Sequence, residues 1–256
     1  MELKSMTVLI TGAASGIGHA LSLGFLNDGA KVVAVDIKRR GLEPLTEKGA
    51  IIKKVDVTDP DQVEDMIQMA MNETGRLDVL INNAGLGTHG NLIELSPGEF
   101  EKAIQVNLFG PVYGMRFAIP VMRSQGFGRI INLVSRAAEA GVNMGSPYGS
   151  SKAALWAVTR CVAMENADLD ILINGLIPGP TKSGMMPWGQ KPEKVYPSAR
   201  WVVTLPKGGP TGKVFWNQKE YVMFDKKNET FNLFIRNPND WKDVKLFDPN
   251  NSRRLD

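Results

Sequence analysis

The sequence predicts an α/β fold, a doubly wound parallel sheet in a single domain. Three observations predict it. Over the first two-thirds of the 256 residues, short apolar runs alternate with segments of helical spacing. Several of those runs are apolar on consecutive residues, as strands are when both faces of their sheet are covered. Single helices between successive strands make parallel βαβ units with right-handed crossovers. Ligands of such sheets bind beyond the carboxyl ends of the strands.

The elements follow in order. TVLIT (7–11) is a β-branched run, and HALSLGFLNDG (19–29) has helical spacing and stops at Gly29. KVVAVD (31–36) and IIKKVDV (51–57) are the second and third strands. Asp59 before Pro60 reads as an N-cap with proline at the first helical position, opening a helix over 60–74 that ends near Gly75. LDVLINNAG (77–85) is the fourth strand. Ser96-Pro97-Gly98-Glu99 is a capping box that opens a long helix, about 97–123. GRIINLVS (128–135) is the fifth strand, a helix runs from Ser146 or Pro147 to about Ala167, and DILINGLIP (170–178) is the sixth strand. Beyond it, 192–205 reads as one helix and 211–224 as a final strand or hairpin. Residues 1–224 form the predicted catalytic domain. Residues 225–256 form a polar tail that either packs through Phe231, Phe234, Trp241 and Phe247 or is partly disordered.

Composition narrows the function classes. The 43% apolar fraction supplies a substantial core, and a net charge of +3 without a long basic block argues against nucleic acid. A single cysteine excludes an intrachain disulfide, and no Cys/His cluster has zinc spacing, so no metal is expected. No apolar run approaches a membrane span and no leader pattern opens the chain, so a cytoplasmic protein is expected.

Thr11-Gly12-Ala13-Ala14-Ser15-Gly16-Ile17-Gly18 lies between the first strand and the first helix. Glycines there allow a tight turn and a close approach to a pyrophosphate, and the helix start beyond offers unpaired N–H groups and a positive dipole end. Gly12, Ser15, Gly16, Ile17 and Gly18 are therefore candidate cofactor contacts. Asp36 ends the second strand, where a carboxylate accepts from both adenosine ribose hydroxyls and repels a 2′-phosphate. NAD is favoured over NADP, although Lys38, Arg39 and Arg40 follow at once and weaken the discrimination.

Tyr148 precedes Lys152 by four residues, one turn apart on a helix face. A free phenol titrates near ~10 and is a poor base at neutral pH. A neighbouring ammonium favours the phenolate, which would let Tyr148 exchange protons with an alcohol. Ser135 follows the fifth strand and can hold a carbonyl or hydroxyl oxygen beside the phenol.

Taken in order, TGAASGIG (11–18), Asp56-Val57, NNAG (82–85), Asn107, Ser135, YGSSK (148–152) and PGPT (178–181) resemble the short-chain dehydrogenase/reductase family. The resemblance covers residues 7 to about 183, and more weakly to about 214. It implies a Rossmann-like fold. It implies Tyr148 as general acid/base, assisted by Lys152, which would also bond the nicotinamide ribose, with Ser135 as the catalytic serine and Asn107 holding a water next to the lysine. It also places Asp56 and Val57 about the adenine, Asn83 along the adenosine side and Gly85 where backbone nears the cofactor. Pro178, Gly179, Thr181 and Ser183 would flank the nicotinamide. The implied activity is interconversion of a secondary alcohol and a ketone. The alternatives are reduction of a 3-oxoacyl thioester on an acyl carrier, which would prefer NADPH, and a nucleotide-sensing protein without chemistry.

Two features depart from the family pattern. The connection from Pro178 to Pro192 is short for a substrate lid, which predicts a more open pocket or one covered by another element. Its Met185-Met186-Pro187-Trp188 either lines a fairly apolar substrate or packs on the domain. The chain also continues past TGKVF (211–215). That puts the tetramer interface in doubt and leaves a homodimer through the two long helices as the safer expectation, with the tail a candidate cover for the site. His19 and His89 read as helix-start and loop residues, Cys161 as a buried thiol, Met115, Met122 and Met164 as packing, and Arg136 and Glu139, near the mouth of the site, as solvated loop charges rather than substrate contacts.

Overall fold

The computed structural model describes residues 2–225. Its sheet has eight strands in the order β3-β2-β1-β4-β5-β6-β7-β8: β1 (Thr7–Thr11), β2 (Lys31–Asp36), β3 (Ile51–Lys54), β4 (Val79–Asn82), β5 (Gly128–Leu133), β6 (Ile171–Leu176), β7 (Val214–Trp216) and β8 (Lys219–Glu220). Every neighbouring pair is parallel except β7 and β8. The strand order reverses direction between β1 and β4, which makes the crevice above their carboxyl ends the place where a ligand enters.

The helices cover both faces, which is why the strands are apolar on consecutive residues. On one face α1 (Gly16–Asn27), the short α2 (Glu43–Thr46) and α8 (Tyr196–Val203) bury Leu21, Phe25, Leu42, Leu45 and Val202 with Val8 and Ile10. On the other, α3 (Pro60–Thr74) and α5 (Gly110–Gln125) bury Val63, Met66, Ile67, Met115 and Met122 with Leu9 of β1. Residues 8, 9 and 10 thus alternate between the two cores, as the period of a strand requires. α4 (Pro97–Ile104), α6 (Ala137–Ala140) and α7 (Ser146–Met164) complete the fold.

The local signals behave as their chemistry dictates. Asp59 accepts from the N–H groups of Asp61 and Gln62 to cap α3, and Ser96 and Glu99 form both halves of a capping box on α4. Gly75 and Gly126 close α3 and α5 in the left-handed region.

Several expectations are corrected. The helix expected over 97–123 is three pieces, α4, a π-helical turn over Gln105–Phe109 and α5. α1 starts at Gly16, ahead of its expected start at His19, because the glycine turn feeds it directly. The helix expected over 192–205 splits into a 3-10 turn, Pro192–Val195, and α8. The segment 211–224 is a hairpin, built on Asn217 and Gln218 at φ 49° and 61°. Cys161 is exposed and Met164 is 76% exposed, since both lie on the outer side of α7. The tail readings at 226–256, Phe231, Phe234, Trp241 and Phe247 included, lie outside the described residues.

One packing contact ties the segment after the short loop to the cofactor-side helix. The Tyr196 ring lies across Gly24 of α1, edge-on to Phe25 at 5.1 Å, and its hydroxyl donates to Asp28 at 2.8 Å. Arg200 also donates to that carboxylate, at 2.6 Å. A Cβ on Gly24 would stand 2.3 Å from the ring, which Phe25 and Asp28 hold in place. Gly24→Ala is expected to cost roughly 1–3 kcal/mol through overpacking, a fall in Tm of roughly 2–10 °C. A thermal melt checks this, and an unchanged Tm would show that Tyr196 is free to move aside.

Candidate active site

The crevice is built first by the turn between β1 and α1. Thr11 ends β1, and its hydroxyl accepts from the N–H groups of Asn83 at 3.1 Å and Ala84 at 3.0 Å, just past β4. The Asn83 side-chain amide donates back to the carbonyls of Thr11 at 2.8 Å and Gly12 at 3.1 Å. The ends of two adjacent strands are thereby laced together. Gly12 and Gly16 take φ of +68° and +56°, and a Cβ on Gly18 would lie 2.3 Å from the Gly12 carbonyl oxygen. Ser15 is the N-cap of α1 and its side chain makes no capping hydrogen bond. The result is a cradle that side chains would fill, facing an uncapped helix start, and it fits a pyrophosphate.

Asp36 stands at the rim of this cradle. Its carboxylate accepts from the Ala14 N–H at 3.0 Å and the Lys38 N–H at 2.8 Å, so both oxygens are oriented by backbone. Asp56 is stitched into the loop after β3, accepting from the Thr58 N–H at 2.9 Å and the Thr58 hydroxyl at 2.7 Å. Val57 beside it is buried and packs on Gly110.

The second part is carried by β5 and α7. Ser135, two residues past β5, borders one cavity with Tyr148, and its hydroxyl accepts from the Ala137 N–H at 3.2 Å. Burial pushes the phenol above its ordinary value, opposed by the nearby Ser135 hydroxyl. Lys152 is buried, and its ammonium nitrogen donates to the Leu133 carbonyl at 2.7 Å and lies 5.8 Å from the centre of the Tyr148 ring. Burial brings this lysine down to about 8. The expectation of a phenol lowered by its lysine is therefore not met in the protein alone. Desolvation is the largest influence on the phenol, and only the Ser135 side chain opposes it.

Asn107 sits in the π turn, fully buried. Such turns re-aim a side chain that a regular helix would point elsewhere. Its amide accepts from the Leu86 N–H at 2.7 Å and donates to the Leu86 carbonyl at 2.9 Å and the Ser151 hydroxyl at 3.1 Å. A Cβ on Gly85 would lie 3.3 Å from the Asn107 oxygen and 3.9 Å from the Lys152 nitrogen, so these two groups converge on that glycine.

A cavity of about 230 Å³ opens in front of the phenol. Of the residues expected at the site, Ile17, Ser135, Tyr148, Pro178, Gly179, Thr181 and Ser183 line it. Gly12, Ser15, Gly16, Gly18, Asp36 and Asn83 gather at the turn, and a Cβ on Gly16 would touch Ser183 at 3.2 Å, which joins the two groups. Asn107, Gly85 and Lys152 stand behind the phenol, and Asp56 and Val57 lie in the loop after β3.

The loop 178–190 is closed upon itself. Gln190 donates from its side chain to the Pro178 carbonyl at 2.7 Å, and Thr181 and Gln190 form a β-bridge. Met185 and Met186 line the cavity, whereas Trp188 is 47% exposed and stands outside its lining.

Sequence reasoning missed four participants, the Arg136–Glu139 pair counted as one. Ser151 links Asn107 to α7 by donating to the Tyr148 carbonyl at 2.7 Å, and only its place inside YGSSK could have flagged it. His89, read as a loop residue, borders the cavity. Arg136 and Glu139 are not solvated charges. Arg136 is buried and donates to the Tyr221 hydroxyl at 2.9 Å, and that hydroxyl in turn donates to Glu139. Trp216 of β7 is the fourth, on the cavity wall.

A family model described as short chain dehydrogenase matches residues 6–193. A 3-oxoacyl-(acyl-carrier-protein) reductase of Thermotoga maritima is 36% identical over 185 residues, 70% of this chain and 75% of that protein. A diacetyl reductase of Staphylococcus epidermidis, (S)-acetoin forming, is 33% identical over 188 residues, covering 71% and 73%. Among solved structures, a 3-ketoacyl-(acyl-carrier-protein) reductase of Brucella melitensis complexed with NADH superposes with a TM-score of 0.78 at 27% identity, covering 83% of this chain and 96% of that one.

Proposed function

The chain belongs to the short-chain dehydrogenase/reductase family, and on that premise we propose that it is an NAD-dependent oxidoreductase interconverting a secondary alcohol and a ketone. The observation that carries this reading is Ser135 and Tyr148 together on the wall of one apolar cavity, with the buried Lys152 ammonium 5.8 Å from the centre of the phenol ring. A bound nicotinamide supplies the hydride acceptor or donor. Ser135 orients the substrate oxygen by hydrogen bonding. Tyr148 gives a proton to that oxygen in reduction and takes one in oxidation. Lys152, with its value brought down to about 8, exchanges protons with the phenol near neutral pH, and Asn107 converges with it on Gly85. The apolar walls exclude bulk water from the reacting carbon.

Gly12, Gly16, Gly18 and the start of α1 would hold the pyrophosphate, and Asp36 the adenosine ribose. The orientation of both Asp36 oxygens by backbone N–H groups supports the preference for NAD, and a related enzyme was solved with NADH. Asp36→Ala is expected to lower the NAD-to-NADP ratio of kcat/KM by roughly tenfold or more, the equivalent of about 1.4 kcal/mol. Steady-state assays with both cofactors check it, and an unaltered ratio would remove Asp36 from the account.

Reduction of a 3-oxoacyl thioester is the second reading, favoured by the 36% identity to the Thermotoga enzyme. The relative named for diacetyl favours a small ketone. A panel holding both kinds of substrate separates them. A homodimer through α4, α5 and α7 completes the proposal, supported by the exposure of Phe109 (38%) and Met164 (76%) on those elements and the turn between them.

A further inference from the structure

The cavity in front of Tyr148 has one wall that is fixed and one that can give. Resting on the alcohol–ketone reading above, we propose that Trp216 sets substrate size, restricting the enzyme to compact ketones and secondary alcohols.

Trp216 is the last residue of β7 and pairs with Lys219 across the two-residue turn Asn217–Gln218. Its indole is held on three sides. The ring nitrogen lies against Gly179, where a Cβ would stand 3.3 Å away. The Arg136 guanidinium carbon is 5.4 Å from the ring centre. The Tyr221 ring meets it edge-on at 5.9 Å. Tyr221 is itself fixed, because its hydroxyl receives the Arg136 hydrogen bond and donates to Glu139, which also accepts from the Phe224 N–H. Displacing the indole therefore means disturbing a partly buried charged network, not turning one side chain.

The methionine wall is different. Met185 and Met186 come from the short loop 178–190, and Met185 is 40% exposed. Unbranched thioethers adjust to varied shapes at little cost. Accommodation therefore takes place on the methionine side, while the indole sets the limit.

The volume of about 230 Å³ is below the roughly 300–1,000 Å³ usual for drug-sized ligands.

The test compares wild type, Trp216→Phe and Trp216→Ala in oxidation of cyclohexanol and 4-phenylcyclohexanol with NAD. Wild type is expected to favour cyclohexanol. Trp216→Ala should shift the ratio of kcat/KM toward the larger alcohol by about tenfold or more, since even a methylene in such a wall is worth about 10–200-fold. Trp216→Phe, the variant that keeps an aromatic ring in the wall should alanine unfold the hairpin, should fall between. Ratios unchanged in both variants would overturn the proposal. Should wild type oxidise neither alcohol nor any other in a panel, the alcohol–ketone reading fails. Ligand-observed NMR with cyclohexanone and 4-phenylcyclohexanone then decides about the wall by itself. Binding of the larger ketone by Trp216→Ala but not by wild type supports it, and equal binding or none rejects it.

Discussion

Tyr148→Phe is expected to lower kcat for alcohol oxidation by roughly 10²–10⁴-fold, the range that a positioned acid/base contributes, while the Kd for NAD changes little. The variant removes one hydroxyl, the one that shares the cavity wall with Ser135, and leaves the ring on α7. The pH dependence of the wild type follows from the same pair. Burial holds Lys152 near about 8, below its free value, so it is neutral above that pH and protonated below. A neutral lysine accepts a proton passed on by the phenol. Alcohol oxidation should therefore rise as pH increases through about 8, and ketone reduction, which draws a proton the other way, should fall. Steady-state rates in both directions across that range check the sign. A Tyr148→Phe enzyme with nearly full turnover would remove the phenol from the mechanism.

Gly18→Ala is expected to impair cofactor binding more than any other single methyl in the turn. The new Cβ would lie 2.3 Å from the Gly12 carbonyl oxygen and 2.5 Å from the Asn83 amide nitrogen. Neither neighbour can retreat freely. Gly12 is backbone, and the Asn83 amide is donating to the carbonyls of Thr11 and Gly12. Overpacking of about 1–3 kcal/mol, relieved by opening the cradle, corresponds to roughly a ten- to hundredfold rise in the Kd for NAD. Calorimetric titration reads it directly. Binding at wild-type affinity would mean that the cradle does not hold the pyrophosphate.

The parts of the protein that were legible in its sequence are those governed by short-range rules. The strands up to Leu176 announced themselves by buried apolar runs, and α3 and α4 by the caps at Asp59 and Ser96, because each signal acts within a few residues of its partner. The glycine turn and the Tyr148–Lys152 pair were legible for the same reason. Contacts across long separations were not. Arg136 and Glu139 looked like loop charges, since nothing near them in sequence points to Tyr221, the residue that makes them a buried network. Trp216 belongs to the same hairpin and became part of the cavity only when β7 paired with β6. The π turn at Asn107 was invisible because no glycine or proline within Gln105–Phe109 marks it. The short connection after Pro178 predicted an open pocket or another cover. The hairpin bearing Trp216 is that cover on one side, and the self-closed loop bearing Met185 covers the other.

The central claim is hydride transfer between a carbinol carbon and the nicotinamide, with Tyr148 handling the proton. It is tested most directly by incubating the wild-type protein with NAD and the best alcohol of the panel, deuterated at the carbinol carbon. Mass spectrometry of the recovered cofactor should find the label in NADH, with one deuterium gained per ketone formed. Reduced cofactor without label, or no reduced cofactor with any secondary alcohol, would contradict the account.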